Sequence, residues 1–227
     1  MSKAERARSR LTAAPAVLVA VFATASGAAA HPHVGIRQHA EVVYDEAGRV
    51  AAIQVDWVFD KTYSATAIDG LDTNGDGSVS VEELHPLAEK NIEALKDYSY
   101  FVYARKNGQK VKWKDVTEYR DEMQHDGHLR MTFTVAPAAP IDPRRDKLVF
   151  RIYDPSYYIA IEFPDARAVT QSANAPSGCT STVGPMPDPA QTSDIKSMLA
   201  TKGTGWQPED DEDFGIMFAQ PVTVHCK

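Results

Sequence analysis

The densest set of hard oxygen donors in the chain is "DTNGDGSVSVEE", Asp72 to Glu83. With Asp72 at position 1, Asn74 falls at 3, Asp76 at 5, Gly77 at 6, Ser78 at 7, Ser80 at 9 and Glu83 at 12. Each constrained position of the EF-hand calcium loop is thereby filled. Calcium takes about six to eight oxygens, so the short side chains of Asp72, Asn74 and Asp76 and the carbonyl of Ser78 supply single donors. Gly77 permits the turn, Ser80 acts directly or through water, and Glu83 closes the shell with both oxygens. An ordinary acidic turn would have to meet the same constraints by coincidence, and magnesium suits a bidentate glutamate less well than calcium does. No second loop and no methionine cluster accompanies this one, so the spacing predicts a structural clasp rather than a sensor.

Histidines form a second set. His31 and His33 lie two residues apart in "HPHVG", where Pro32 biases His31 toward extended backbone. If His31 becomes the first residue of the mature chain, its amine and imidazole can chelate together with His33. His125 and His128 flank Asp126-Gly127, and a two-residue turn there would set the two imidazoles opposite each other, close enough to share an ion. His225, beside Cys226, is a further candidate. Imidazole suits Zn2+, Cu2+ and Ni2+ alike, so the ligand types do not select a metal. The competing reading for each pair is surface histidine.

Two cysteines, Cys179 and Cys226, remain in what reads as an exported chain, and they predict a disulfide that ties a long loop to the C-terminus. A pair of thiolate metal ligands is the alternative, although no CxxC spacing supports it. No nucleophile elbow, HExxH or glycine-rich phosphate loop is present, so no enzyme is expected.

Export is read from the first thirty residues. "MSKAERARSR" is basic, "LTAAPAVLVAVFATA" is apolar but short for a bilayer span, and "GAAA" ends in small residues suited to cleavage. A membrane anchor is the alternative, and no second hydrophobic stretch follows. Cleavage after Ala30 leaves 20 Lys and Arg against 30 Asp and Glu, a formal charge of −10, which argues against nucleic acid as partner. No stable membrane insertion is expected after cleavage, and the mature chain, 31–227, is expected to form one β-rich domain.

The elements that must position these groups are mostly strands. "VGIRQHAEVVY" and "VAAIQVDWVF" alternate with a two-residue period around the turn "DEAGR". "DKTYSATAIDGL" and "SVEELHPLAEKNIEALKDY" then flank the acidic loop with helical spacing, which makes 60–97 a helix-loop-helix insert. "YFVYARKNGQKVKW" and "VTEYRDEMQHDGHLRMTFTV" read as hairpins, and "KLVFRIYD" with "YYIAIEF" as a further pair around "DPS". A proline-rich region over 173–213 follows, with a short helix at "TSDIKSMLATKG" capped by Ser193 and an acidic run "EDDED" that reads as solvated surface or a second cation site. "FGIMFAQPVTVHC" is the last strand. About nine strands with short turns predict a mainly β fold, an antiparallel β-sandwich with an inserted EF-hand and a long C-terminal loop region.

"AHPHV" after the leader, "VDWVFDKTYSA", "YDPSYYIAIEF" and the closing "VTVHC" resemble the exported bacterial proteins of domain-of-unknown-function family 1007. That family is described as a periplasmic component of an uncharacterised ABC-type transport system, and its members resemble partners of nickel, cobalt or zinc transporters. The resemblance implies periplasmic location, a metal-handling role for His31 and His33, and an inner-membrane metal transporter as partner. Gly35 stands where the family pattern carries tryptophan. Together these readings predict a periplasmic calcium-binding protein that acts as a metal-binding accessory of a transition-metal transport system. The alternative is a calcium-stabilised adhesion or interaction module.

Overall fold

The computed structural model describes residues 32–203, 206, 208, 209 and 212–227. The expected leader, 1–30, and His31 lie outside the described residues, as do positions 210 and 211 of the acidic run.

The first two strands form as the alternation predicts. β1 (Val34–Tyr44) and β2 (Val50–Phe59) run antiparallel, with Ile36 opposite Phe59 and Val42 opposite Ile53. Asp45 closes their turn by accepting hydrogen bonds from the backbone N and Nε of Arg49. The chain then leaves the sheet through α1 (Lys61–Ala67), capped by Asp60, and α2 (Val81–Lys96), which starts in a reciprocal capping box between Ser80 and Glu83. Pro86 is the sixth residue of α2, past the first turn where proline is innocuous, so the hydrogen bond its nitrogen would give to Glu82 is forgone. α2 buries Leu84, Ala88 and Ile92 and packs on the strand β5 (Tyr119–Met123).

β3 (Val102–Lys106) and β4 (Gln109–Lys110) are joined by Asn107 and Gly108, both with positive φ, as the two-residue hairpin requires. β5 pairs with β6 (Leu129–Val135) through a different connection from the expected one. Gln124, not His125, stands opposite His128, and three residues, His125 to Gly127, make the loop. Gly127 takes a positive φ of 85°, the geometry that accommodates the third loop residue.

The remaining elements are β7 (Leu148–Ile152), β8 (Ile159–Glu162), β9 (Val169–Gln171), β10 (Cys179–Val183), α3 (Pro189–Leu199) and β11 (Val222–Cys226). One sheet has the order β5-β6-β2-β1-β8, with β9 also on β1; the other has the order β10-β11-β7-β3-β4. Three expectations are corrected here. β7 and β8 do not pair, because both edges of β7 are taken by β3 and β11. β8 and β9 instead join the free edge of β1 in parallel, so the first sheet is mixed rather than purely antiparallel. The C-terminal helix starts at Pro189 with Asp188 as its cap, earlier than Ser193.

The apolar faces of the two sheets share one core, with Ile53, Trp57, Met131 and Phe133 from the first and Leu148, Phe150 and Ile152 from the second. The "DPS" turn carries the chain from one sheet to the other. There the buried Asp154 carboxylate accepts from Ser156 N and Oγ and from Ile159 N, which organises the turn, and Tyr157 adopts φ 55°. Cys179 and Cys226 are register partners on β10 and β11 and are joined as a disulfide, which settles the choice against thiolate ligands.

Asp154→Ala leaves the Ser156 and Ile159 donors unpaired inside the crossover and should cost about 3 kcal/mol. Denaturant titration is expected to show this loss, with Asp154→Asn losing less. Unchanged stability in both variants would remove Asp154 from this role.

Candidate functional site

The acidic loop hangs between α1 and α2, and its fold follows from local hydrogen bonds. Asp72 Oδ1 accepts from the amides of Gly75 and Asp76, and its Oδ2 accepts from Gly77. Asn74 Oδ1 accepts from Asp76 N, and Asp76 Oδ1 accepts from Ser78 N. Backbone wraps around these side chains because Gly75 and Gly77 take φ of 72° and 86°, values that a β-carbon would strain.

Glu83 closes the loop on itself. Its Oε1 accepts from Thr73 N, Thr73 Oγ1 and Asn74 N, and its Oε2 accepts from Ser80 N and Oγ. The Ser80 amide, then the Thr73 hydroxyl, hold this carboxyl down at about 2. Val79 lies outside every strand and packs its side chain against the core. Among the described residues, no group of three or more His, Cys, Asp or Glu side chains is arranged to hold a metal ion. In the loop, the acids are engaged by backbone amides, while the rest of the donor set comprises an amide oxygen, a hydroxyl and a carbonyl. That mixture of oxygens is the chemistry of a hard divalent cation.

The insert is bolted to the sheet by Asp60. Its Oδ1 accepts from Tyr63 N at the head of α1, and its Oδ2 accepts from Gly35 N on β1. Burial resists ionisation, but the amides of Gly35, Tyr63 and Thr62, with His128 nearby, hold the carboxyl below its ordinary range. Ser64 completes the joint: its Oγ donates to Asp60 O and accepts from Leu129 N on β6.

The histidines are dispersed. His33 is exposed at the start of β1, its ring centroid 4.6 Å from that of Tyr158. His128 Nδ1 sits 2.6 Å from Phe59 O; a carbonyl only accepts, so Nδ1 carries a hydrogen. His125 is exposed on its turn, and the three-residue loop removes the opposed geometry on which the His125 and His128 pair was predicated. His225 pairs across to Thr180 on the edge hairpin.

Two groups escaped the sequence reading. Asp60 was visible as a polar residue one step before a helix, a capping signal. Asp121 was visible as the middle of the inward positions Tyr119, Asp121 and Met123 of β5. It is 1 % exposed, neither carboxylate oxygen has a hydrogen-bond partner, and burial pushes its carboxyl up to about 7. The nearby Tyr63 phenol is raised by burial and then by Asp121 and Asp60.

The sequence profile of the family described as "Protein of unknown function (DUF1007)" matches residues 16–226. An uncharacterized protein of Haemophilus influenzae (strain ATCC 51907 / DSM 11121 / KW20 / Rd) is 24% identical over 201 residues, covering 88% of this chain and 93% of that one. Among the described residues no helix is long and apolar enough to cross a membrane.

Asp121 has a folded pKa above its unfolded value, so the folded state holds the extra proton between about pH 4 and 7, and stability falls as pH rises through that window. Asp121→Asn removes the dependence. Its Tm should exceed that of the parent at pH 8, by up to about 4 kcal/mol of stability, and converge with it near pH 4. Melting curves across this range check it; a constant difference would contradict the assignment.

Proposed function

The chain belongs to the DUF1007 family, and we propose that this member is a periplasmic protein clasped by calcium, serving as a metal-binding accessory of a transition-metal transport system. We read the two-sheet body as a sandwich and the segment 60–97 as an EF-hand inserted within one domain over 31–227. The observation that supports calcium is the loop Asp72–Glu83: a full donor set, already wrapped by backbone amides around Asp72, Asn74 and Asp76, with Glu83 folded back on the loop start. Asp72, Asn74, Asp76, the Ser78 carbonyl, Ser80 and Glu83 would hold the ion. Calcium, when bound, would offset two of the three charges on Asp72, Asp76 and Glu83 and tie α1 to α2. Glu83 must exchange its amide partners for the ion, which fits the weak binding of extracellular modules, on the order of 10⁻⁴–10⁻³ M.

The transport reading places Zn2+, Cu2+ or Ni2+ at His31 and His33. His33 supports it by standing exposed at the sheet end, next to Tyr158 and two residues before the Gly35–Asp60 joint. The alternative, a calcium-stabilised interaction module, is favoured by the absence, among the described residues, of a three-ligand cluster around any histidine.

Calcium at a hundredfold excess over Kd should stabilise the mature chain by ~2.7 kcal/mol, roughly 5–10 °C in Tm, without raising hydrophobic-dye fluorescence. Glu83→Gln should abolish most of that gain. No shift with calcium would overturn the clasp. Metal analysis of untagged protein from the periplasm separates the two readings: a transition metal lost in His33→Ala supports transport, and calcium alone supports the interaction module.

A further inference from the structure

We propose that the outer face of the second sheet carries a binding pocket for a small multivalent oxyanion, with Arg151 at its centre. This inference is independent of the calcium loop. The cavity is about 260 Å³ and is lined by Tyr103, Arg105, Lys110, Arg151, Tyr153 and Asp213 among others. Strand register brings the three cations together. Arg151 on β7 is opposite Tyr103 on β3, Arg105 is two residues along the same face of β3, and Lys110 on β4 is opposite Arg105.

The chain is acidic overall, and several of its other arginines pair with carboxylates. Arg49 pairs with Asp45, Arg130 with Asp56 and Glu122, Arg144 with Asp142, and Arg167 with Asp165. Arg151 does not. Its Nε is buried without a hydrogen-bond partner, and its guanidinium makes no hydrogen bond or ion pair among the described residues. Among the described residues Arg105 donates only to Gly108 O, and Lys110 pairs with no carboxylate. A half-buried guanidinium with no carboxylate partner among the described residues leaves its charge available to an anion that enters the cavity. Arginine takes carboxylate or phosphate oxygens through two parallel donors, and a ligand with a second charge reaches Arg105 or Lys110 as well.

The walls suit such a ligand. The Tyr103 and Tyr153 rings stand 4.6 Å apart, and the Tyr103 hydroxyl has no hydrogen-bond partner among the described residues. The Tyr153 hydroxyl donates to Asp213, which places one built-in carboxylate at the rim as a competitor for the cations. The far wall is pinned: Gly215 N donates to Pro155 O, and a β-carbon on Gly215 would stand 1.9 Å from Asp154 O, so this segment cannot be displaced without changing the crossover turn. Ile216 follows directly and lines the cavity.

Calorimetric titration of the mature chain with inorganic phosphate and with citrate, at low salt and at 0.15 M salt, tests the assignment. We expect binding of at least one probe that survives 0.15 M salt, weakened tenfold or more in Arg151→Gln and several-fold in Lys110→Gln. Asp213→Asn should tighten it several-fold by removing the rim carboxylate. The phosphate and citrate arms distinguish a tetrahedral from a planar oxyanion. If Arg151→Gln does not fold by circular dichroism, the exposed Lys110 and Asp213 variants decide through their opposite signs. Absence of binding by both probes, equal affinity in Arg151→Gln, or binding that vanishes at 0.15 M salt would each overturn the proposal.

Discussion

The Asp60 carboxylate joins three pieces of chain that are distant in kind: the start of β1, the end of β2 and the head of α1. Its backbone adds to the joint, with Asp60 N donating to Gly35 O and Asp60 O accepting from Ser64. Everything carried by the insert depends on this anchorage. The β1–β2 pair could otherwise end in loose chain, and the acidic loop would have no fixed platform. Because the hydrogen bonds stabilise the ionised form, the joint is held as long as the carboxylate is charged.

Anchoring helices onto a sheet face has a polar cost that this protein retains. Asp121, under α2, and the indole nitrogen of Trp57 are both buried without partners. Gln38 spends its side-chain amide reaching Ile152 O across the two sheets and leaves its Oε1 unpaired. An all-apolar replacement would be expected to pack at least as stably. The acid beneath α2 makes the seat of the insert sensitive to pH, whereas the loop carboxylate Glu83, held at about 2 by Ser80 and Thr73, stays ionised in the same range.

Charge is divided by sheet. On the first sheet, Arg130 and Arg120 gather Asp56 and Glu122 into a paired cluster on neighbouring strands. On the second, Arg105, Lys110 and Arg151 face one cavity, with Asp213 as the one lining carboxylate among the described residues. The two sheets share a core but distribute their charged groups differently.

Features set by neighbours in sequence were legible without coordinates. The β1–β2 hairpin, the Asn107-Gly108 turn, the capping box at Ser80 and Glu83 and the donor spacing of Asp72–Glu83 all depend on residues within about a dozen positions. The Cys179–Cys226 pairing was legible because only two cysteines exist. The partner of β8, the separation of His125 from His128, and the meeting of Arg151, Lys110 and Asp213 were decided by tertiary structure alone. Local pattern specifies which face of a strand is buried but not which edge it joins. That choice fell to which backbone edges remained unpaired: β7 was saturated by β3 and β11, and β1 was open, so the chain after Asp154 crossed to the other sheet.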